Sequence, residues 1–541
     1  MISINENTQV FWTQKVTLNR IIDPLALSGF KFVEDEFLKG IITQTERLRY
    51  YTFLTWAWNK IKNKNLQPST ILNMEKVFTL ACAHHHLGKS DYPRGIRNRQ
   101  DGETFLEENN FIDITQLTHF GRNNKQGYGN YYYAGSLAAL HIFWRDDESI
   151  KFSDVGEKIA QVYDKFAQPH ENIFIEGKFE KAKLSQLINH CACQVRESEE
   201  EINLWRKIFF GFTKQEGFGN NIVFDGDRYN RFMKGKEDVQ KDVNKNNRLR
   251  RLTLFIIMKI INEAQPDRRE LLQSIRDGFY FGEVKRNKEI RKIDYSGVRR
   301  IKNQLEVYVH NLYFMDILEY IFAYILEVLQ TKPQGATLDE VLDSLDFEEI
   351  EKNIDELFSD FKIEEIKPKK IMAKINNFNT SLEEPINERN IFYDFREAND
   401  KNRVFADIFI LFLLLKRRYR DFNDEQKSLI ENVNLEAGPK TLYKQTDGKS
   451  IKEILRMIFS TVINCHRYAA ARKLLYDNTR AWLFTVEENK LFFYDRLYDF
   501  GSYAESKWTN VVDLLYDMRL IDYDEKYTLS EDGKLWLSKV G

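Results

Sequence analysis

Residue types that could bind a metal ion occur in two short clusters. Cys82 is followed by His84-His85-His86, and His190 is followed by Cys191-Ala192-Cys193. Cysteine and histidine at such spacing are typical ligands of zinc. Three consecutive helical residues point in different directions, so we expect the histidines to mark a helix end rather than to share one ion. The Cys-x-Cys segment has no second ligand pair nearby in the sequence, and we therefore predict no metal site and no cofactor.

A third segment, Phe174-Ile-Glu-Gly-Lys178, resembles part of a nuclease site. In such sites carboxylates hold a divalent cation and a lysine orients the attacking water. Glu176 and Lys178 would need an upstream aspartate on a neighbouring strand, and the nearest one, Asp164, lies in a stretch with a helical pattern. We find no glycine-rich phosphate-binding loop and no serine nucleophile elbow. A solvated loop is the favoured interpretation and no catalytic residue is predicted, with a divalent-metal nuclease as the alternative from the enzyme class.

Basic residues crowd one stretch of a chain whose formal net charge is only −2. The stretch contains Lys285, Arg286, Lys288, Arg291, Lys292, Arg299 and Arg300. Lysine and arginine at this density neutralise phosphates, so we expect the stretch to contact DNA without sequence preference. The alternative is a solvated helix face that lies beside acidic partners such as segment 338–365.

The elements that must position these residues are predicted to be mostly helices. Of 541 residues, 43% are hydrophobic and 14% aromatic, while proline numbers 9 and glycine 25. So few helix breakers favour long helices, and apolar residues from Leu305 to Leu329 recur at the three- and four-residue steps of one helix. We predict a mainly α, multi-domain protein. Its predicted segments are an N-terminal helical domain (1–165), a central helical domain (166–335), an acidic linker with a helical block (336–445) and a C-terminal winged-helix-like domain (446–541).

The cysteines and the apolar runs bear on the cellular compartment. The four cysteines suggest no disulfide framework, and the first residues lack a signal-peptide pattern. The longest apolar run, Val404–Leu415, contains Asp407 and is too short to span a bilayer. We interpret this run as a buried helix and expect a cytoplasmic protein without a membrane partner.

One pattern of helix, hairpin and helix occurs twice. At the C-terminus, the amphipathic segment Val512–Leu520 precedes a polar hairpin over Ile521–Ser530 and a final helix from Glu531. Residues Leu137–Ile159 repeat this order without gaps. In this alignment Phe143 matches Leu520, Phe152 matches Leu529, Ser153 matches Ser530 and Gly156 matches Gly533. In both copies the serine is predicted to cap the helix that follows it. The order is that of the third helix, wing and closing segment of a winged helix, which predicts winged-helix-like modules near both ends.

The C-terminal module is predicted to bind a protein. The helix over Ser506–Arg519 is near neutral, because Lys507 and Arg519 are offset by Asp513 and Asp517. A helix that enters the major groove of DNA normally brings net positive charge, so base recognition by a winged-helix transcription regulator is only a further alternative. The predicted partner-binding residues are Trp508, Leu514, Leu515, Met518 and Leu520, some of which must also serve the module's own core.

The N-terminal pattern resembles that of a bacterial protein family. Asp23-Pro-Leu25, then Gly40-Ile-Ile-Thr-Gln-Thr-Glu-Arg-Leu-Arg-Tyr-Tyr51 and Trp56, are similar to the accessory, kleisin-like subunit of Lamassu-type antiviral and anti-plasmid defence systems. The resemblance implies a non-enzymatic bridging subunit that docks on an ATPase of the structural-maintenance-of-chromosomes (SMC) type. It also implies a separate effector nuclease as a partner. A kleisin has a long extended middle, whereas the middle of this chain is predicted to be compact and helical, which departs from the family.

Overall fold

The computed structural model describes the chain in several stretches. They are Leu25, Leu27 and residues 32–41, 47–88, 99–117, 134–145, 150–210, 239–359, 367–431, 439–477, 482–494 and 507–538. These residues are mainly α-helical with a few small sheets, which confirms the predicted fold class. They divide into two compact units. The first unit comprises residues 31–310, 379–389 and 505–541, and the second comprises 1–30, 311–378 and 390–504. The four consecutive segments predicted from the sequence do not correspond one to one to these units.

Helices form most of the described structure. The α-helices are α1 (Phe32–Phe37), α2 (Leu48–Asn63), α3 (Thr70–His86), α4 (Arg99–Glu108), α5 (Ala134–Ala139), α6 (Asp154–Ala167), α7 (Glu171–Glu176), α8 (Glu199–Phe210), α9 (Val239–Ala264), α10 (Leu271–Phe281), α11 (Arg299–Gln330), α12 (Leu338–Leu342), α13 (Phe347–Leu357), α14 (Pro368–Ile375), α15 (Glu388–Glu397), α16 (Lys401–Asp421), α17 (Asp424–Glu431), α18 (Pro439–Gln445), α19 (Ile451–Asp477), α20 (Trp508–Asp517) and α21 (Glu531–Ser538). Short 3-10 helices cover Ile114–Gln116, Gln168–His170, Lys181–His190 and Ala192–Glu197.

The strands are short and antiparallel. They are β1 (Phe111–Asp113), β2 (Phe143–Arg145), β3 (Ile150–Phe152), β4 (Lys178–Glu180), β5 (Glu283–Arg286), β6 (Glu289–Lys292), β7 (Ala336–Thr337), β8 (Phe484–Glu487), β9 (Lys490–Phe493), β10 (Ile521–Asp524) and β11 (Lys526–Leu529). In the first unit β1 pairs with β4, and three hairpins join β2 to β3, β5 to β6 and β10 to β11. In the second unit the strand order is β7-β9-β8.

Helix α2 forms the centre of the first unit. It is buried on every side over most of its length, including Tyr50, Phe53 and Trp56. The ring of Phe53 stacks on Phe78 of α3 at a centroid distance of 4.5 Å, and Trp56 contacts Phe174 of α7 edge-on at 5.4 Å. Large aromatic side chains contribute the most apolar area per residue, so this helix fixes the relative positions of α3 and α7.

The helix–hairpin–helix pattern predicted at both ends is present twice in the first unit. In each copy a serine hydroxyl accepts a hydrogen bond from a glycine amide three residues later, from Gly156 to Ser153 at 3.0 Å and from Gly533 to Ser530 at 2.9 Å. Each serine thereby caps the following helix, as the sequence indicated. Helix, hairpin and capped helix by themselves do not establish a winged helix.

The alignment of the two copies needs a correction of one residue. A Cβ atom added to Gly156 would lie 2.2 Å from the carbonyl oxygen of Ile142, and one added to Gly533 would lie 2.0 Å from that of Leu520. Ile142 is therefore the counterpart of Leu520, and Phe143 is not. The amide of Ser153 donates to the carbonyl of Ile142 across 11 residues, whereas the amide of Ser530 donates to the carbonyl of Leu520 across one residue fewer. The upstream hairpin thus holds one additional residue, and the repeat is not free of gaps.

Two long helices organise the second unit. The apolar run Val404–Leu415 lies within α16 and is buried, as predicted. Residues 311–330 of α11 belong to the same unit, where Tyr320 and Tyr324 pack edge-on against Phe405 at 5.9 and 4.9 Å. No helix in the described stretches combines the length with the apolar character that crossing a lipid bilayer requires.

Candidate functional site

Four side chains with metal-ligand atoms meet in the first unit, and we call them the His–Cys cluster. His85, His86, Cys191 and Cys193 each offer one ligand atom, and these atoms all lie within 4.8 Å of one another. The Nε2 atom of His86 lies 3.3 Å from the Sγ atom of Cys193, and the Nδ1 atom of His85 lies 3.4 Å from it. His86 and Cys191 are buried, while His85 and Cys193 are partly exposed. Among the residues that the structure describes, no other group brings three or more histidine, cysteine or acidic side chains close enough to share a metal ion.

The end of α3 and a tight turn between two 3-10 helices position the cluster. Helix α3 ends at His86, after which Leu87 leaves the helical conformation. The amide of Cys191 donates to Ile188 at 3.0 Å, and the amide of Gln194 donates to Cys191 at 3.0 Å. These bonds close the turn that holds both thiols.

Arg49 of α2 fixes this turn from the core side. Its guanidinium donates to the carbonyl of Asn189 at 2.6 Å and to that of Gln194 at 3.0 Å. The same guanidinium lies 2.7 Å from the carboxylate of Glu201, and both side chains are buried. Removing one partner of a buried charge pair leaves the other charge buried without compensation, which costs several kcal/mol. The pair of Arg49 and Glu201, together with the two hydrogen bonds, therefore holds the turn firmly against α2.

The two thiols of the cluster are held in the neutral form. A hydrogen bond with Cys191, together with burial, raises the pKa of Cys193 to about 12. The hydrogen bond with Cys193 lowers the pKa of Cys191, but the hydrogen bond with Cys82 and burial outweigh it and raise that pKa overall. Thiolates at this position would therefore need a nearby positive charge, and a divalent cation supplies one.

The cluster is not apparent from the sequence, because its two motifs lie far apart in the chain. Consecutive helical side chains do diverge, but His85 presents Nδ1, close to its backbone, and His86 presents Nε2, at the far end of its ring. The two rings lie 4.4 Å apart and reach the same sulfur. The ligand pair that the Cys-x-Cys segment lacked nearby lies 107 residues earlier in the chain, measured from His86 to Cys193.

His190 precedes the thiols in sequence but belongs to the core. Its Nδ1 atom lies 2.9 Å from the hydroxyl of Tyr163, and its ring packs on Phe174 at 4.9 Å. Burial, reinforced by the charge of Arg49, lowers the pKa of His190 to about 3. The side chain is therefore neutral at physiological pH and serves packing.

The residues of the nuclease alternative do not assemble into a site. Glu176 is the last residue of α7, and Lys178 begins β4 with its Nζ atom 3.1 Å from Asp113. Asp164 lies in α6, as the helical pattern indicated, and accepts from Trp56 and Lys60, each at 2.8 Å. Within the described residues, Glu176 and Asp164 belong to no convergent group of ligands.

The predicted DNA-binding residues lie on a hairpin and at a helix start. Strands β5 and β6 are joined by Asn287 and Lys288, whose φ angles of 50° and 72° are those of a type I′ turn. Val284, fully buried, anchors the hairpin and is opposite Arg291, while Lys285 is opposite Ile290. Residues 285–292 are therefore not a helix face, and their basic side chains are divided between the two faces of the hairpin. We call β5, β6 and their turn the basic hairpin.

Some cations of the basic hairpin have partners within the first unit. Arg286 donates to the side chain of Gln265, and Arg291 lies 3.7 Å from Glu289 and 4.0 Å from Glu263. Glu263 belongs to the last turn of α9 and Gln265 follows that helix, so the contacts with these two residues join the hairpin to the end of α9.

Lys285 lies near a buried charge pair. The carboxylate of Asp277 is 3.0 Å from Arg389, and burial raises the pKa of Asp277 to about 7. Burial and the charge of Arg389 lower the pKa of Lys285, although Asp277 opposes the shift.

Other cations of this region are exposed and unengaged. The side chains of Lys288, Lys292 and Arg299 are exposed and make no hydrogen bond or ion pair with any other described residue. Arg299 and Arg300 open the 32-residue helix α11, whose first turn contains no acidic residue. The N-terminus of a helix carries a partial positive charge, and the two arginines increase the positive charge at this end of α11. This placement concentrates positive potential where an anion would be bound favourably.

The five residues predicted to bind a partner are all buried. Trp508, Leu514, Leu515, Met518 and Leu520 have at most 1% of their surface exposed. The ring of Trp508 lies 4.8 Å from that of Phe279 and 5.5 Å from that of Tyr308, all within the first unit. Side chains covered in this way cannot form a docking surface, so we correct their assignment from partner contacts to core.

Buried arginines attach the C-terminal module to the rest of the first unit. Arg206 donates to the carbonyl of Met518 through Nε at 3.0 Å and Nη2 at 2.6 Å. Arg47 lies 2.6 Å from the buried carboxylate of Asp517. The module is thus part of the first unit rather than a separate docking domain.

Part of the motif that carries the family resemblance lies outside the described residues, namely Asp23, Pro24 and residues 42–46. Tyr50, Tyr51 and Trp56 from the same motif are core residues of α2. No protein-family model, curated protein or solved structure matches the chain.

Proposed function

We propose that this chain is a non-enzymatic subunit that contacts DNA through the basic hairpin and the start of α11. The observation that carries the proposal is the exposed, unengaged set of Lys288, Lys292 and Arg299 beside Arg300. Flexible exposed cations bind phosphates without reading bases, so the contact would be independent of sequence and would weaken steeply with salt.

The proposal extends to a bridging role in a bacterial defence complex. This part rests on the resemblance of Gly40–Tyr51 to the kleisin-like subunit of Lamassu-type systems. The partners would be an SMC-type ATPase and a separate effector nuclease. An ATPase with a long coiled coil that is encoded beside this chain, and that co-purifies with it, would support the bridge. An adjacent ATPase that fails to co-purify would contradict it.

The DNA contact is tested with a triple charge reversal, Lys288→Glu, Lys292→Glu and Arg299→Glu. Affinity for a short fluorescent duplex of arbitrary sequence is measured as a function of salt concentration. Each phosphate contact contributes about −0.9 to the slope of log K against log salt, so losing three should reduce its magnitude by about 2.7. Affinity for unrelated duplexes should fall equally.

A matched control separates a local contact from an effect of net charge. The control carries Lys158→Glu, Lys332→Glu and Lys369→Glu, which reverse three exposed lysines elsewhere and change the net charge equally. It should retain most of the slope. Equal losses in both triple variants would contradict a local contact at the hairpin. Cleavage of plasmid DNA with magnesium or manganese, abolished by Glu176→Gln, would overturn the non-enzymatic assignment.

A further inference from the structure

We propose that His85, His86, Cys191 and Cys193 bind one structural zinc ion. Two thiolates and two imidazoles are the ligand set of many tetrahedral zinc sites. With zinc–sulfur bonds of about 2.3 Å and zinc–nitrogen bonds of about 2.0–2.1 Å, tetrahedral ligands lie about 3.3–3.8 Å apart. The two nitrogen–sulfur distances of 3.3 and 3.4 Å fall at the lower end of this range, and all four ligand atoms lie within 4.8 Å of one another. Small side-chain rotations are then sufficient to surround an ion.

The number of protein ligands indicates a structural rather than a catalytic ion. Catalytic zinc usually keeps one position open for water or substrate, whereas four protein ligands close the coordination sphere. Zinc binds cysteine as the thiolate, so binding displaces one proton from each sulfur to solvent and leaves two thiolates on the ion. The charge of the two thiolates then balances that of the ion.

The ion would fasten the end of α3 to the turn between the two 3-10 helices. This turn leads directly into Arg196, whose Nη1 atom donates to the carbonyl of Tyr516 at 2.9 Å and whose guanidinium lies 4.0 Å over the ring of Tyr516. Zinc at the His–Cys cluster would therefore stabilise the segment that holds the C-terminal module. Because an unfolded chain offers no preformed site, metal affinity would contribute directly to folding of the first unit.

A disulfide is the principal competing explanation for clustered thiols. Cys82 is buried and hydrogen-bonded to Cys191, so an oxidised Cys82–Cys191 or Cys191–Cys193 pair would also bring these sulfurs together. All four cysteines of the chain are free in the structure. The two explanations differ in a measurable way, because a disulfide consumes the thiols that zinc needs.

The full-length protein, purified under reducing conditions without chelators, provides the test. Elemental analysis should find about one zinc per chain, and the double variant Cys191→Ser, Cys193→Ser should retain less than about a tenth of it. Cys465→Ser, a buried cysteine of the second unit, is the matched control and should retain the ion. Zinc content that is unaffected by the double variant would overturn the proposal. So would a reduced protein that contains no zinc and takes up none when zinc is added.

Cobalt substitution keeps the test valid if the double variant fails to fold. Cobalt(II) added to the metal-free wild-type protein should give the intense visible and near-ultraviolet absorption of a tetrahedral, thiolate-bound ion. The variant Cys193→His should still bind cobalt, with weaker sulfur-to-metal charge transfer. A spectrum typical of octahedral cobalt, or intact-mass evidence of a disulfide in the freshly purified protein, would contradict the assignment. Loss of zinc in Cys82→Ser but not in Cys193→Ser would also contradict the four ligands named.

Discussion

Replacing Arg196 with glutamine should loosen the C-terminal hairpin β10–β11 while the rest of the first unit stays folded. Arg196 is about three-quarters buried and contacts this hairpin through several bonds. Its Nη1 atom donates to the carbonyls of Tyr516 and Ile521 at 2.9 and 3.4 Å, and its Nη2 atom lies 2.9 Å from Asp522. Glutamine is shorter and uncharged, so it cannot reach all three acceptors.

The size of the effect follows from these contacts. A hydrogen bond from a charged donor is worth about 1.5–3 kcal/mol, and the contact with the ring of Tyr516 adds about 0.5–1 kcal/mol. The ion pair with Asp522 adds less than about 1 kcal/mol, because that carboxylate is half exposed and screened by solvent. Since these terms are not fully additive, we expect local opening of the hairpin to become easier by about 2–4 kcal/mol.

Hydrogen exchange measures this opening directly. The amide of Ser530 donates to Leu520, and the amide of Tyr527 donates to Pro266, so both amides report on attachment of the hairpin. A change of about 3 kcal/mol corresponds to exchange that is faster by about two orders of magnitude. Amides in the middle of α2 should be unaffected.

A control variant in the same module distinguishes attachment from a general effect of lost charge. Lys534→Gln removes an ion pair with Glu531 in which both side chains are exposed, so it should change exchange only slightly. Exchange at Tyr527 that is equally fast in both variants, or unchanged in Arg196→Gln, would show that Arg196 does not hold the hairpin in place. The C-terminal module would then not depend on the turn after the His–Cys cluster.

Two further predictions concern stability. Gly533→Ala should destabilise the first unit by about 1–3 kcal/mol, because the new Cβ atom would lie 2.0 Å from the carbonyl oxygen of Leu520. Chemical denaturation measures this change. In the same assay the control Gly135→Ala, where the Cβ atom on α5 would enter open space, should be neutral or slightly stabilising. Burial raises the folded-state pKa of Asp277 to about 7, above an unfolded value of about 3.9, so the folded state binds the proton more tightly. The free energy of unfolding should therefore fall as pH rises between these two values, by up to about 4 kcal/mol. Asp277→Asn should remove that part of the pH dependence, and a variant as steeply pH-dependent as wild type would show that another group is responsible.

Helices were the part of the fold that the sequence predicted well. The apolar residues that recur every three or four positions from Leu305 to Leu329 lie within α11, and the run Val404–Leu415 lies within α16. Both patterns are local and long, so each turn adds evidence for the same period. The serine caps at Ser153 and Ser530 were also predicted, because a cap involves residues only three apart.

Features that depend on distant residues were missed or misassigned. The apolar face of α20 suggested a partner, and the chain itself covers it with Phe279 and Tyr308. The His–Cys cluster joins segments 107 residues apart, and no local spacing pattern contains it. The one-residue shift between the two repeats arose because hairpin length changes without altering the periodicity of the flanking elements. In each case the missing information is which segments pack together.

Cross-linking of the full-length protein to a duplex of arbitrary sequence, followed by peptide mass spectrometry, tests the proposed DNA contact most directly. Cross-linked nucleotides should concentrate on the peptides that contain Lys288, Lys292 and Arg299, and these cross-links should disappear as salt is raised. Cross-links that map to other surfaces, or that persist unchanged in the triple charge-reversal variant, would contradict it.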